Sequence, residues 1–423
     1  IPESSTPFIA PLDEGDCVSG QRLIVGSPLH IPLDGYDPNG GVLTYDVTSN
    51  RADVTAELLT GNRSARIDVE GYGEMVFELF EGQADRATDR MITLAGQDFY
   101  DDIIFHRIID GFVIQGGDPT GTGAGGSTLG DFDDQFDPDL QHNRSGILSM
   151  AKAGDDTNDS QFFITEGPTR SLDFQHTVFG LLVEGEGNRE SISTTATNSQ
   201  DRPPIDVVMD TVDIFTDTEN AVLLVKADDG ATGSAIITVT VTDEDGNQFV
   251  REITLALTPD NETIVDDPQF GRIRNGNGRP YLEDIGPIVA PSNTTAVATL
   301  PAFDIEGDPF FYSFNENETP AGFAVSIDNS GELSVAPPPG FVGVIDFTVA
   351  VGDRDDANNF NRFNVRVVAT SGGASRFSAA LRKLSPSPNS TEPRALQNSV
   401  VSRPSGRLAP SEIVGPMPSM PCR

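Results

Sequence analysis

A mainly β fold is predicted by three features of the sequence. Apolar residues recur with period two in stretch after stretch, as in Leu43, Tyr45 and Val47, then Ile237, Val239 and Val241, then Phe363, Val365 and Val367. That is the pattern of a half-buried strand. Between the stretches lie turn formers, drawn from 42 glycines and 30 prolines. The clearest helical stripe is short, with Ala84, Ala87, Met91, Leu94 and Ala95 spaced to fall on one face.

Composition bounds the rest. The 423 residues suffice for two or three domains, and 37% hydrophobic content supports real cores. The net charge of −38 with only three lysines, Lys152, Lys226 and Lys383, makes nucleic acid and anionic membrane poor partners. Such a composition suits a secreted protein in salty or calcium-containing surroundings, with a solvated acidic surface as its simplest meaning. Cys17 and Cys422 alone define no disulfide framework or metal site. No run of eighteen apolar residues is present, so no membrane span is expected. A start at Ile1 without methionine fits a processed product whose signal peptide is gone.

In chain order, residues 1–20 are rich in Pro, Ser and acidic residues and read as a flexible lead-in. Residues 21–63 carry the strand through Leu43, Tyr45 and Val47 after the turn at 37–41, but are too few for a β-sandwich. The missing half is read in residues 217–258, where Ile237 to Val241 and Ile253, Leu255 and Leu257 flank the turn Asp243–Gly246. The two halves together have the size of one immunoglobulin-like domain and resemble the cadherin- or immunoglobulin-like modules of bacterial surface proteins. Residues 64–216 are then an insert in a loop of a split sandwich. The alternative is two separate β appendages.

Within the insert, Met75, Phe77 and Leu79 mark an opening strand, the 84–95 stripe a helix, the segment after Gly185 a weaker helix, and Val208–Phe215 a closing strand. A second β unit spans 261–370. Its strands step by two through Phe323, Val325 and Ile327, Leu333 and Val335, Ile345 to Val351, and Phe363 to Val367. Residues 371–423, rich in Ser and Pro with seven basic and two acidic residues, read as a disordered tail.

Chemistry concentrates between Phe105 and Gly180, in the blocks FHRIIDGFVIQGGDPTGTGAGG, LSMAKAGDDTNDSQFFIT and SLDFQHTVFG. The glycine pattern Gly121–Gly126 alone would suit a phosphate loop, but the helix such a loop requires does not follow. Taken together and in this order, the three blocks resemble a cyclophilin, in register from about Gly71 to Phe215. The resemblance implies an eight-stranded barrel with capping helices, whose first and last strands are neighbours. It also implies peptidyl-prolyl cis/trans isomerase activity on proline-containing polypeptides.

That reaction needs no nucleophile, metal or cofactor. Resonance gives the X–Pro amide a rotational barrier of about 18–20 kcal/mol. A catalyst must draw the nitrogen lone pair out of resonance, anchor the ring and hold the turning carbonyl. By resemblance, Arg107 is the catalytic donor to the prolyl nitrogen. Phe112, Val113, Phe163 and Leu172 form the proline pocket, and Gln115 and Gln161 its polar wall. Gly123, Ala151, Lys152 and Ala153 form the rim along the peptide backbone. His176 stands on the far side of the pocket, acting neither as acid nor base, and His106 is structural.

Three positions depart from the family pattern. Val113 replaces a methionine and shortens one wall. Lys152 replaces asparagine and is expected to add charge to the rim. Ser171 stands where drug-sensitive members carry tryptophan, so weak cyclosporin binding is expected.

Other chemistries are less well supported. Asp243/Asp245, Asp304/Glu306/Asp308 and Asp353/Asp355/Asp356 carry oxygens of the kind Ca2+ takes, but none has EF-hand spacing and turn-forming aspartate is the commoner explanation. No metal ligand is assigned. A serine hydrolase lacks its GxSxG elbow here. The reading is an extracytoplasmic isomerase, periplasmic, surface-bound or secreted, acting on exported or surface proteins. The alternative is a surface adhesion or scaffold protein whose cyclophilin block only binds proline-containing segments.

Overall fold

The structure, a computed structural model, describes residues 6–10, 22–258, 265–267, 271–273, 278–283, 285–305, 307, 309–314, 319, 321–353 and 359–371. It is mainly β, with two α-helices among the described residues. The 372–423 segment of the expected tail and most of the expected lead-in lie outside the described residues.

Eight strands form one antiparallel sheet in the order Met209–Phe215, Ser64–Val69, Gly73–Leu79, Val178–Glu184, Ile147–Met150, Phe162–Thr165, Val113–Gly116 and Arg107–Ile109. The segment leading into Arg107 closes it. Asp102 N donates to Met209 O and Phe105 N to Val207 O, both at 2.9 Å, joining the two ends of the sheet. Inward residues follow the period-two pattern, so that Ile67, Met75, Phe77, Ile108, Ile114, Leu148, Ile164 and Phe179 are all nearly inaccessible. Burying such a side chain contributes roughly 1.5–3 kcal/mol.

The helix Asp85–Ala95 packs Ala87, Met91, Leu94 and Ala95 into this core, the stripe seen in the sequence, with Ala84 as its N-cap residue. The weaker helix is Glu186–Ser193. It starts from Gly185, where φ is +93° and a Cβ would lie 2.4 Å from Glu74 O.

Two sheets flank the barrel on one side and share one core. One holds Leu29–Leu33, Ala221–Ala227 and Val54–Leu59; the other holds Arg22–Ile24, Gln248–Thr258, Gly233–Thr242 and Thr44–Ser49. Each sheet thus combines strands from before and after the barrel: in the smaller one they alternate, and in the larger one the two later strands lie side by side between the two earlier ones. Val239 pairs with Val47 and Val241 with Tyr45, while Val225 pairs with both Leu29 and Ala56. The barrel leaves the chain at the neighbouring residues Ser64 and Phe215, which pair with each other. Phe8–Ile9, expected in a flexible lead-in, instead pairs with Gly35–Tyr36, and Ile9 is buried in the same core. The apolar pair finds an unfilled place there that its Pro- and Ser-rich surroundings conceal.

The C-terminal unit is built alike. Ile288–Pro291, Phe360–Thr370, Gly343–Asp353 and Phe310–Phe314 form one sheet, and Ala296–Thr299, Glu332–Ala336 and Ala324–Ile327 the other. Leu333, Val335, Val349, Val351, Val365 and Val367 fill its core. Two further members of that core come from the barrel, Phe174 buried within it and Phe136 packed against it. Among the described residues no helix is long and apolar enough to cross a membrane.

Candidate active site

Register places the site. Across neighbouring strands Arg107 pairs with Gln115, Gln115 with Phe163 and Phe163 with Ser149. Paired residues project from the same face of a sheet. The adjoining row, Ile108, Ile114, Ile164 and Leu148, points into the barrel core. The row of Arg107 therefore faces outward, and Val113, two residues before Gln115, lies on the same face. Val113 and Phe163 are 3% and 5% exposed yet belong to none of the three core clusters.

Polar contacts link the row. Arg107 Nη1 donates to Gln115 Oε1 at 3.3 Å, and Arg107 Nε lies 3.7 Å from Asp201 Oδ2. Gln115 Nε2 donates to Gln161 Oε1 at 3.1 Å, and Gln161 Nε2 to the carbonyls of Gly123 at 3.1 Å and Gly125 at 2.8 Å. The guanidinium and both amides are thus held in one connected row by these bonds.

Phe163 is fixed between two imidazoles. His142 stacks on it with centroids 5.8 Å apart, and His176 meets it edge-on at 5.4 Å. His176 Nδ1 lies 2.9 Å from Met150 O. A carbonyl only accepts, so Nδ1 carries the proton. Burial, the largest influence, pushes this imidazole down to about 3, with His142, Lys152 and Arg279 adding to the effect, so it is neutral near pH 7. Phe112 and Leu172 are half-buried, Leu172 on the 3-10 turn Arg170–Leu172 whose last carbonyl accepts from His176 N.

The rim residues divide. Gly123, Ala151 and Ala153 sit on loops beside the row, with Ala151 N donating to Gln161 O at 2.9 Å. Lys152 does not bring charge to the rim. Its side chain is 3% exposed, with the ammonium paired with Asp134 and 5.9 Å from the centre of the Phe136 ring. A buried carboxylate 18 residues back in the chain captures it.

Asp118 was not singled out in the sequence. It is 1% exposed and gathers the glycine loop around itself. Oδ1 accepts from Thr120 N at 2.7 Å, and Oδ2 from Thr122 N at 3.0 Å, Gly123 N at 2.6 Å and Gly125 N at 3.1 Å. Burial alone would raise its pKa. The bonds from Thr120, Gly125 and Gly123 outweigh it and hold the carboxyl well below the usual carboxylate range. A Cβ at Gly125 would lie 2.0 Å from Oδ1, so the glycines admit an internal carboxylate where a phosphate loop would admit its ligand. The signal was there in Asp118 itself, an acid standing directly before backbone amides that need an acceptor. His106 is buried beneath this loop, 3.4 Å from where a Cβ on Gly123 would lie.

Among the described residues no three His, Cys, Asp or Glu side chains gather as a metal site. Asp243 accepts from Asn247 within its own turn, while Glu306, Asp308, Asp355 and Asp356 lie outside the described residues.

Residues 65–214 match the family model of cyclophilin type peptidyl-prolyl cis-trans isomerases. Peptidyl-prolyl cis-trans isomerase-like 1 of Gibberella zeae is 48% identical over 133 residues, 31% of this chain and 82% of that relative. Peptidyl-prolyl cis-trans isomerase A of Mycobacterium tuberculosis is 42% identical over 173 residues, 40% of this chain and 91% of the relative. A crystal structure of a cyclophilin type isomerase of Cryptosporidium parvum aligns with 37% identity and a TM-score of 0.36, covering 37% of this chain and 99% of the other. With four-fifths or more of each curated relative matched at such identity, the chain belongs to the cyclophilin family and is a peptidyl-prolyl cis-trans isomerase.

Proposed function

We propose that the chain is an extracytoplasmic isomerase that turns X–Pro bonds of exported or surface proteins. The observation that carries the mechanism is the outward row of Arg107, Gln115 and Phe163 over an apolar inward row. The proline ring packs against Phe163, Val113, Phe112 and Leu172. Arg107 then donates to the prolyl nitrogen as it pyramidalises, and Gln115 and Gln161 hold the carbonyl that swings. Rotation makes and breaks no covalent bond, so the chemistry calls for no metal or cofactor. The flanking two-sheet units are read as immunoglobulin- or cadherin-like sandwiches, the first split by the barrel. Their paired strands from both sides of the barrel support that reading, as the acidic, lysine-poor surface supports an extracytoplasmic site.

A protease-coupled assay of X–Pro isomerisation on the full chain is the test. Acceleration over the uncatalysed rate is expected. Binding of proline-containing peptides without acceleration would establish the scaffold reading in its place.

The neutral His176 adds a pH prediction. Its pKa is lowered on folding to about 3, so His176 itself stays neutral from pH 5 to 8 and adds no titration to kcat/KM across that range. Stability does respond, because the unfolded chain protonates this ring below about 6.5 while the folded chain keeps it neutral. It therefore falls as pH drops below that value. A titration of kcat/KM with a midpoint near 6.5 would contradict the assignment.

Cyclosporin binds weakly, because exposed Ser171 offers neither an indole face nor its N–H. Ser171→Trp tightens binding by roughly ten- to a hundredfold. A nanomolar dissociation constant for the unaltered chain, measured by calorimetry, refutes this.

A further inference from the structure

Two segments bordering the groove are gripped from outside the barrel. On the first, residues 170–176, Phe174 lies between Leu172 and His176 in the left-handed region at φ +53°, costly for an aromatic residue. Its ring is 2% exposed and stacks on Tyr281 of the C-terminal unit, with centroids 5.0 Å apart and planes 24° from parallel. Its carbonyl accepts from Nδ2 of Asn361, itself 1% exposed, at 2.6 Å.

On the second, residues 151–156, Asp155 accepts from Arg362 N at 3.1 Å and Asp156 from Asn364 N at 2.6 Å. These amides are two residues apart on the strand Phe360–Thr370, which Ile288–Pro291 covers only from Val367 onward. Among the described residues no strand pairs with this part of the edge, and the groove segment caps it. Phe136 completes the joint, edge-on to Tyr281 at 5.7 Å and to Phe363 at 6.2 Å.

We propose that the C-terminal β unit is a working part of the isomerase, a brace that holds both groove segments in place, with Phe174 and Asn361 as positioning residues. Arg107 and Gln115 stand on barrel strands that need no such help, whereas Leu172 and His176 stand on the braced turn. The inference rests on the proposed proline groove, and its test separates the two.

The full chain is assayed for kcat and KM beside Phe174→Ala, Phe174→Leu and Asn361→Ala. The His176 ring signal, one of four histidines, is followed by NMR and assigned by its loss in His176→Gln. In Phe174→Ala the signal shifts and kcat/KM falls about tenfold, mainly through KM, as expected for a misplaced binding wall. Phe174→Leu, which refills most of the apolar socket, returns both toward wild type. Asn361→Ala moves them in the same direction from outside the barrel and decides the matter if Phe174→Ala does not fold. An unchanged His176 signal and KM in the alanine variants overturns the brace. A wild-type chain without isomerase activity overturns the reading of the groove instead, and the His176 signal then decides the brace by itself.

Discussion

Arg107→Ala lowers kcat/KM for X–Pro isomerisation by about a hundredfold or more and leaves the circular dichroism spectrum and melting temperature unchanged. The two halves of this expectation have separate causes. The side chain is 38% exposed and touches Gln115 and Asp201, both polar, so its removal opens no cavity in the core. Loss of one preorganised donor to a developing charge costs on the order of a hundred- to a thousandfold. Arg107→Lys recovers little, because a single ammonium cannot reproduce the planar fork that bonds Gln115 and reaches the substrate together. Activity of Arg107→Ala within twofold of wild type, with the same melting temperature, removes the arginine from the mechanism.

Asp118→Ala is expected to damage both fold and activity. The buried carboxylate is the acceptor for the amides of Thr120, Thr122, Gly123 and Gly125, which a largely exposed loop wraps around it. Leaving an inward-turned donor without its acceptor costs about 1–3 kcal/mol, and because the loop is open enough for water to reach some of these four, the net loss is on the order of 3 kcal/mol. The same loop supplies the Gly123 and Gly125 carbonyls that hold Gln161, so the polar wall of the groove loosens with it. Thermal unfolding and the isomerase assay together check this: a melting temperature within 1–2 °C of wild type, on the scale where about 1 kcal/mol shifts it by several degrees, shows that the loop is held by something else.

Alternation made the β architecture legible, because period two says which residues share a face and Ile108, Ile114 and Ile164 declare theirs. Arg107, Gln115 and Phe163 are legible from the family resemblance of their motifs and not from period; the register adds that these cross-strand partners project from one face. What lies opposite a face is not written in its period. Phe136 and Phe174 are apolar residues in loops, and only the placed C-terminal unit shows the socket they enter. Lys152 carried a charge that belongs at a surface until Asp134 is seen beneath it. Each depends on a partner remote in sequence, which no local pattern reports.

Both flanking units pair their first strand of the larger sheet in parallel with their last, Arg22–Ile24 with Ala256–Thr258 and Ile288–Pro291 with Val367–Thr370. Tension applied between the two ends of such a unit loads all the bonds of that pairing at once, in shear, instead of opening them singly from one end. In the first unit the barrel hangs from Ser64 and Phe215, away from this clamp. A stretching force entering at Arg22 and leaving at Thr258 crosses from strand to strand and bypasses the catalytic barrel, which stays slack and competent while the unit around it bears the load.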